Sequence, residues 1–387
     1  MVPALFLYSL ILAAALKKHK AKSKKKRQKI VGFKEGVEIL QSRNILASYG
    51  IKIKKELPLV DACLCEVEEQ DEAVVHQLSA DPTVEYIEDD YEAYIQVIPH
   101  ATSVKAKTQI IPWGVKKISA VPAWKLSRGR KVRVGVIDTG VDLEHPDLKE
   151  NIKEARGFLD CRNIQDDNGH GTHVSGTIAA LDNDIGVVGV APEVEIYSAK
   201  AFDKNGKSTI SSIVEAMNWC LEKGVHIVNM SFGIKQNSLT LRRAVKALSK
   251  NGVLMVAAAG NTGKEGAVLY PAKYPEVIAV AACDEEGKPA IFTSSGPEVD
   301  IIAPGVDIPS TYKGGQYKAM SGTSMAAPHV SGALALVLSR CSMAPEELKE
   351  ILKGTAKDLG IPREKQGAGL VDVERALLSA DSKGVSR

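Results

Sequence analysis

Residues Val134–Asp142 read VGVIDTGVD, a short unbroken run of small and β-branched apolar residues that stops at an aspartate and a glycine-containing turn. A strand with one wet face would alternate apolar and polar residues, whereas an unbroken run suits a strand buried on both faces. Similar runs follow the first, Val132–Ile137, at Glu195–Ala199, His226–Met230, Val253–Ala258 and Val277–Ala281. Stretches with helical apolar spacing, such as Ser211–Glu222 and Leu239–Ser249, lie between them. Short buried strands alternating with helices imply an α/β fold, a parallel sheet covered by helices on both faces. Ligands of such sheets bind outside the carboxyl ends of the strands, which is where Asp138 falls. Taken alone, Asp138 reads equally as a turn residue after a strand.

Upstream of this region the pattern differs. Ile30–Phe33, Ile51–Ile53, Ala62–Val67 and Val84–Ile87 read as strands, and Gly36–Tyr49 and Glu72–Leu78 as helices. The order is βαββαβ, a small plait preceding the larger sheet. Ile98–Lys107 (IPHATSVKAK) is polar and without period, so it reads as an exposed linker. The expected division is an apolar segment plus basic linker at 1–29, the plait at 30–96, a linker at 97–107 and a large domain at 108–387.

The whole chain has 387 residues, 44% hydrophobic and 25% charged, which supplies ample apolar material for a large core and excludes disorder or coiled coil as whole-chain readings. Residues 1–29 hold eight lysines, one arginine and no acid; without these nine cations the formal charge falls from +3 to −6. The remainder is mildly acidic, and no nucleic-acid partner is expected. Val2–Leu16 is short for a membrane span and suits the apolar core of a signal peptide. The cations follow this run rather than precede it, so a short amino-terminal membrane anchor is the alternative. The six cysteines are too scattered for a zinc motif and do not fix the redox compartment.

Three further segments carry chemistry. Asn168–Gly176 (NGHGTHVSG) holds two histidines three residues apart, with glycines that permit close approach of neighbouring backbone. Zinc is disfavoured there, because the glutamate of a metalloprotease helix and any nearby third ligand are missing. Ser321–Gly332 (SGTSMAAPHVSG) runs into an apolar helix, which makes Ser324 an N-cap or a residue aided by unpaired backbone amides. Pro328 suits an early position of that helix. Val256–Asn261 (VAAAGN) leaves Asn261 after a strand, as a turn residue or as an amide donor. A serine is a weak nucleophile until a histidine takes its proton and a carboxylate orients the imidazole, and the chain order Asp, His, Ser is a known arrangement.

With these segments together, the chain resembles the subtilisin-like serine proteases from about Gln109 to Val373. The resemblance implies Asp138 as orienting acid, His170 as general base, Ser324 as nucleophile and Asn261 as oxyanion donor beside the Ser324 backbone amide. His173 is then structural. Asn229–Gly233 (NMSFG) looks like the family's substrate-pairing strand, with a specificity pocket drawn from Ser231, Phe232, Gly233, Ala258, Ala259, Gly260 and the stretch before Tyr270. Leu269 stands there where the family often has glycine, which implies a shallower apolar pocket. The resemblance also implies calcium held by Gln109, Asp147 and Asn183 side chains with the carbonyls of Leu181, Ile185 and Val187. Ile30–Gly36 (IVGFKEG) and Val84–Asp90 (VEYIEDD) resemble the family's inhibitory propeptide, cut from the enzyme by Ser324 itself between Gln96 and Thr108. The implied protein is a secreted, monomeric endopeptidase acting on extended polypeptides. The competing expectation is a catalytically silent binding protein whose propeptide stays docked.

Overall fold

The computed structural model describes residues 26–68, 72–106, 108–159, 163–341 and 343–384. The apolar run Val2–Leu16 and Cys161 lie outside the described residues. The chain divides into two compact units, Met1–Asp90 and Tyr91–Arg387, so residues 91–96 pack with the larger unit.

The first unit contains β1 (Lys26–Phe33), α1 (Ile39–Ser48), β2 (Lys52–Leu57), β3 (Ala62–Glu68), α2 (Glu72–Ser79) and β4 (Val84–Asp89). Its strands form one antiparallel sheet in the order β2-β3-β1-β4. Val31, Phe33, Leu46, Cys63, Cys65 and Leu78 make its core, and both cysteines are free thiols. The plait is as the alternation implied, with β1 extended by four residues at its basic start.

The second unit opens with β5 (Glu92–Ile95), β6 (Ala101–Ser103), α3 (Trp113–Lys117), α4 (Ala120–Ala123), β7 (Arg133–Asp138), β8 (Ile152–Gly157), α5 (His170–Ala179) and β9 (Glu195–Lys200). It continues with β10 (Lys207–Thr209), α6 (Ile210–Glu222), β11 (Ile227–Met230), β12 (Phe232–Gly233), α7 (Leu239–Lys250), β13 (Leu254–Ala258) and β14 (Ile278–Cys283). Last come β15 (Ile301–Pro304), β16 (Ile308–Tyr312), β17 (Gln316–Met320), α8 (Thr323–Leu338), α9 (Pro345–Thr355), α10 (Arg363–Gln366) and α11 (Val373–Gly384). Seven strands form the central parallel sheet in the order β15-β14-β13-β11-β7-β9-β8. Val134, Ile137, Ile227, Val228, Val256, Val280 and Ile301 within it have no exposed surface, which is the reason for their unbroken apolar runs. Helix α8 packs on β11, β13, β14 and β15 and against α5, while α6 packs on β7 and β9 and against α7. A Cβ on Gly135 would lie 2.8 Å from Cys220 Sγ, so strand β7 and helix α6 meet closely only because one residue has no side chain and the other a small one.

Two details correct the sequence expectations. Ala101–Ser103, placed within an exposed linker, is a strand: its side chains are exposed, but its backbone pairs antiparallel with β17. Polar, aperiodic sequence hides a strand that is held only through its main chain. Pro328 also sits well inside α8 rather than in its first turn, and the N-cap is Gly322, not Ser324. A proline there leaves the Ser324 carbonyl without its helical donor, and that carbonyl instead accepts the Ser231 hydroxyl at 3.0 Å.

Candidate active site

Asp138 ends β7 and His170 begins α5; both are buried, and His170 Nδ1–H donates to Asp138 Oδ1 at 2.7 Å. The same carboxylate oxygen accepts the Thr139 amide at 2.7 Å. The close approach depends on Gly171, where a Cβ would collide with the Gly140 carbonyl and stand 3.1 Å from Asp138 Oδ1. Sequence reasoning missed what anchors the start of α5. Asp166 accepts from Thr139 Oγ1, the amides of Asn168, Gly169 and Thr172, and Thr172 Oγ1, at 2.7–3.0 Å. Its signal was an aspartate two residues before an Asn-Gly pair, the usual site of a side-chain-closed turn.

With Nδ1 donating, His170 Nε2 keeps a lone pair, and it is buried with no hydrogen-bond partner. His173 is walled off one turn further on, its Nε2–H donating to the carbonyls of Ile308 at 2.9 Å and Lys318 at 3.2 Å. Burial pushes its pKa down to about 3, so it is neutral and ties α5 to the β16–β17 hairpin.

Ser324 lies in the first turn of α8. Its hydroxyl donates to the Ser231 carbonyl at 2.7 Å and accepts the Gln96 amide at 3.0 Å, rather than meeting His170. The Ser324 amide donates to the Gln96 carbonyl at 3.1 Å, and the Gln96 amide also reaches the Ser231 carbonyl at 3.1 Å. Asn261 accepts through Oδ1 from the Thr323 amide at 3.0 Å and hydroxyl at 2.9 Å, leaving its buried Nδ2 without a partner. A Cβ on Gly322 would stand 2.5 Å from the Gln96 oxygen and 3.2 Å from Asn261 Nδ2, so both crowd one spot beside the Ser324 amide. A bare glycine at φ 153° keeps that spot open.

The Gln96 segment is held as an extended peptide. β5 is the middle strand of a three-stranded sheet, paired with β10 along Glu92–Tyr94 and with β12 along Tyr94–Ile95. Among the expected pocket residues, Gly233 and Leu269 line a cleft of about 470 Å³ together with Tyr94, Gln96 and Asn261. Leu269 fills the space over two glycines: Cβ atoms on Gly233 and Gly260 would lie 2.6 and 2.9 Å from it. Ala258 and Ala259 are fully buried in the sheet end, and Ser231 contributes its carbonyl. Phe232 serves through its backbone alone, since its ring packs on Phe202 at 5.0 Å in the core. The Gln96 side chain turns back, its Nε2 donating to the Tyr94 carbonyl at 3.0 Å.

The expected calcium residues also come together. Gln109 Nε2 donates to the Leu181 carbonyl at 2.7 Å, its amide to Asp184 at 2.9 Å, and the Val187 amide to Asp147 Oδ2 at 2.9 Å. Asn183 Oδ1 accepts the Ile185 amide at 3.3 Å. Asp147 Oδ1 is buried without a partner, and burial pushes its carboxyl up to about 7. No cluster of three His, Cys, Asp or Glu side chains that could hold a metal occurs among the described residues, so any cation here rests on one carboxylate plus amides and carbonyls.

The model of the subtilase family matches residues 129–370, across the central sheet and all four candidate catalytic residues. The chain belongs to the subtilase family. The fervidolysin N-terminal prodomain matches residues 12–89. The subtilase is 40% identical to a thermostable alkaline protease of Halalkalibacterium halodurans over 88% of this chain and 89% of that protein. It is 37% identical to subtilisin E of Bacillus subtilis over 97% and 98% of the two chains. An alkaline protease of Alkalihalobacillus alcalophilus is 40% identical over 84% of this chain and 82% of that protein. This subtilase is thus a subtilisin-like serine endopeptidase preceded by a prodomain.

Proposed function

We propose that the protein is a secreted, self-processing zymogen that cuts its own Gln96–Val97 bond and then hydrolyses extended polypeptides with the same residues. The observation that carries this reading is the Gln96 carbonyl, which accepts the Ser324 amide at 3.1 Å while β5 lies in the cleft as a paired strand. In this reaction the Ser324 hydroxyl rotates toward His170 Nε2, gives up its proton there and adds to the Gln96 carbonyl carbon. Asp138 accepts the Nδ1–H of the resulting imidazolium and fixes its orientation. The oxyanion takes hydrogen bonds from the Ser324 amide, which already meets the Gln96 carbonyl, and from the unpartnered Asn261 Nδ2. The C–N bond then breaks, His170 returns the proton to the Val97 amine, and Ser324 is left esterified to Gln96. Water, deprotonated by His170, frees the Gln96 carboxylate and restores Ser324. The alternative, a silent binder, leaves the buried, unpartnered His170 Nε2 and Asn261 Nδ2 without a role. Labelling by a fluorophosphonate separates the two: the cut enzyme takes one label at Ser324 and the His170→Ala variant takes none.

Calcium suits the Asp147 cluster, because the uncompensated buried Oδ1 gains a cation and the surrounding donors are hard oxygens. Gln109, Asp147 and Asn183 would hold it through side chains, and Leu181, Ile185 and Val187 through carbonyls. When bound it would supply charge compensation and rigidity, not chemistry. Saturating calcium raises the melting temperature by about 5–10 °C, and Asp147→Ala removes that gain.

Secretion follows from the reading of Val2–Leu16 as a signal segment. No helix among the described residues is long and apolar enough to cross a membrane, and Val2–Leu16, on which a tether would depend, lies outside them.

A further inference from the structure

The chain beyond Gln96 does not leave the cleft. The Ile98 amide donates to the Ser321 carbonyl at 2.8 Å, and Ala101, Thr102 and Ser103 stand opposite Met320, Ala319 and Lys318. The Val104 amide then donates to the Tyr317 carbonyl at 3.0 Å. Val97–Val104 therefore runs along the outer edge of β17, whose inner edge is filled by five register pairs with β16. This is the strand that leads directly into Ser324. Downstream the chain is pinned again, where the Gln109 amide donates to Asp184 and the Ile110 amide to Gly186, both at 2.9 Å.

All of these contacts lie on the carboxyl side of the Gln96–Val97 bond, so cutting that bond breaks none of them. The segment stays covalently attached to the peptidase by a short tether, and such a tether holds an occupant at an effective concentration of roughly millimolar. The side chains of Ala101, Thr102 and Ser103 face solvent, so the edge reads main chain rather than sequence.

We propose that after the cut the enzyme's own Val97–Val104 stays paired along Tyr317–Ser321, the outer edge of β17 and the residue after it, and blocks this side of the cleft until a substrate that continues past its scissile bond displaces it. The proposal rests on the self-processing reading. Its consequence is selective: substrates that end at the scissile bond escape the competition, whereas substrates that continue beyond it do not.

The test compares cut wild type with the variant Thr102→Pro plus Val104→Pro, which removes the amide bonded to Tyr317 and a second amide in the register. Two probes are used, a peptidyl anilide that ends at the scissile bond and an internally quenched peptide continuing eight residues past it. The expected result is a KM for the long peptide about tenfold lower in the proline variant, with kcat and the anilide KM unchanged. Equal long-peptide KM values, or parallel shifts for both substrates, overturn the proposal. Should the variant fold poorly, amide hydrogen exchange in cut wild type decides: Thr102 and Val104 protected, and released by the long peptide, supports it, and free-chain exchange overturns it. Amino-terminal sequencing keeps the two readings apart. A terminus other than Val97 counts against self-processing at this bond, and the edge strand is then read by the same exchange in the uncut Ser324→Ala chain.

Discussion

β5 and β6 flank the same peptide bond and are held in opposite ways. β5 is gripped along both edges, by β10 and β12, and Ala93 in its middle is fully buried. β6 is an outer strand with one partner, β17, and all three of its side chains are exposed. Backbone pairing along two edges plus side-chain burial binds far more strongly than pairing along one. On the proposed reading, the amino side of the cleft is where a polypeptide is recognised, and the carboxyl side is where it is guided and released.

Changes at the chemistry between the two strands should affect both sides at once. Asn261→Ala should lower kcat by about 10²- to 10³-fold for long and short substrates alike, a magnitude carried over from the same donor in subtilisin. A loss confined to long substrates would show that Asn261 acts in binding, and the two sides would not share one oxyanion site. A smaller effect should fall on the amino side alone. Leu269→Gly opens the space over Gly233 and Gly260, and should raise kcat/KM for a large aromatic residue before the scissile bond by about tenfold relative to alanine. That ratio should not depend on how far the substrate extends past the bond. If it does, the pocket and the β17 edge are coupled and the contrast between the two strands is too sharply drawn.

The pairing of Asp138 with His170 was legible in the sequence because each piece is local. VGVIDTG predicts a strand ending at Asp138, NGHGTH puts a histidine among glycines, and the glycine at 171 turns out to be what lets that histidine reach Asp138. The large parallel sheet was legible for a similar reason, since strands buried on both faces write their burial directly into sequence. What was not legible depends on backbone alone. β6 carries no apolar alternation, because neither face of it is buried. Phe232 looked like a pocket wall but points its ring at Phe202, and one residue of sequence does not say to which side a two-residue strand turns. Pro328 looked like a helix start, yet it lies inside the helix, where its missing amide leaves the Ser324 carbonyl free to accept the Ser231 hydroxyl. The residues proposed to hold calcium came from family resemblance, as carbonyl ligands leave no mark on side-chain identity.

The most direct test of the central claim is the intact mass of purified wild type beside Ser324→Ala, both refolded with calcium. Wild type should lose everything through Gln96 and begin at Val97, while Ser324→Ala, expected to lose about a millionfold in kcat as subtilisin does, should stay whole. Two results would contradict the account: a wild type that keeps residues Ile30–Gln96, or a Ser324→Ala chain that is cut at Val97 as fast as wild type.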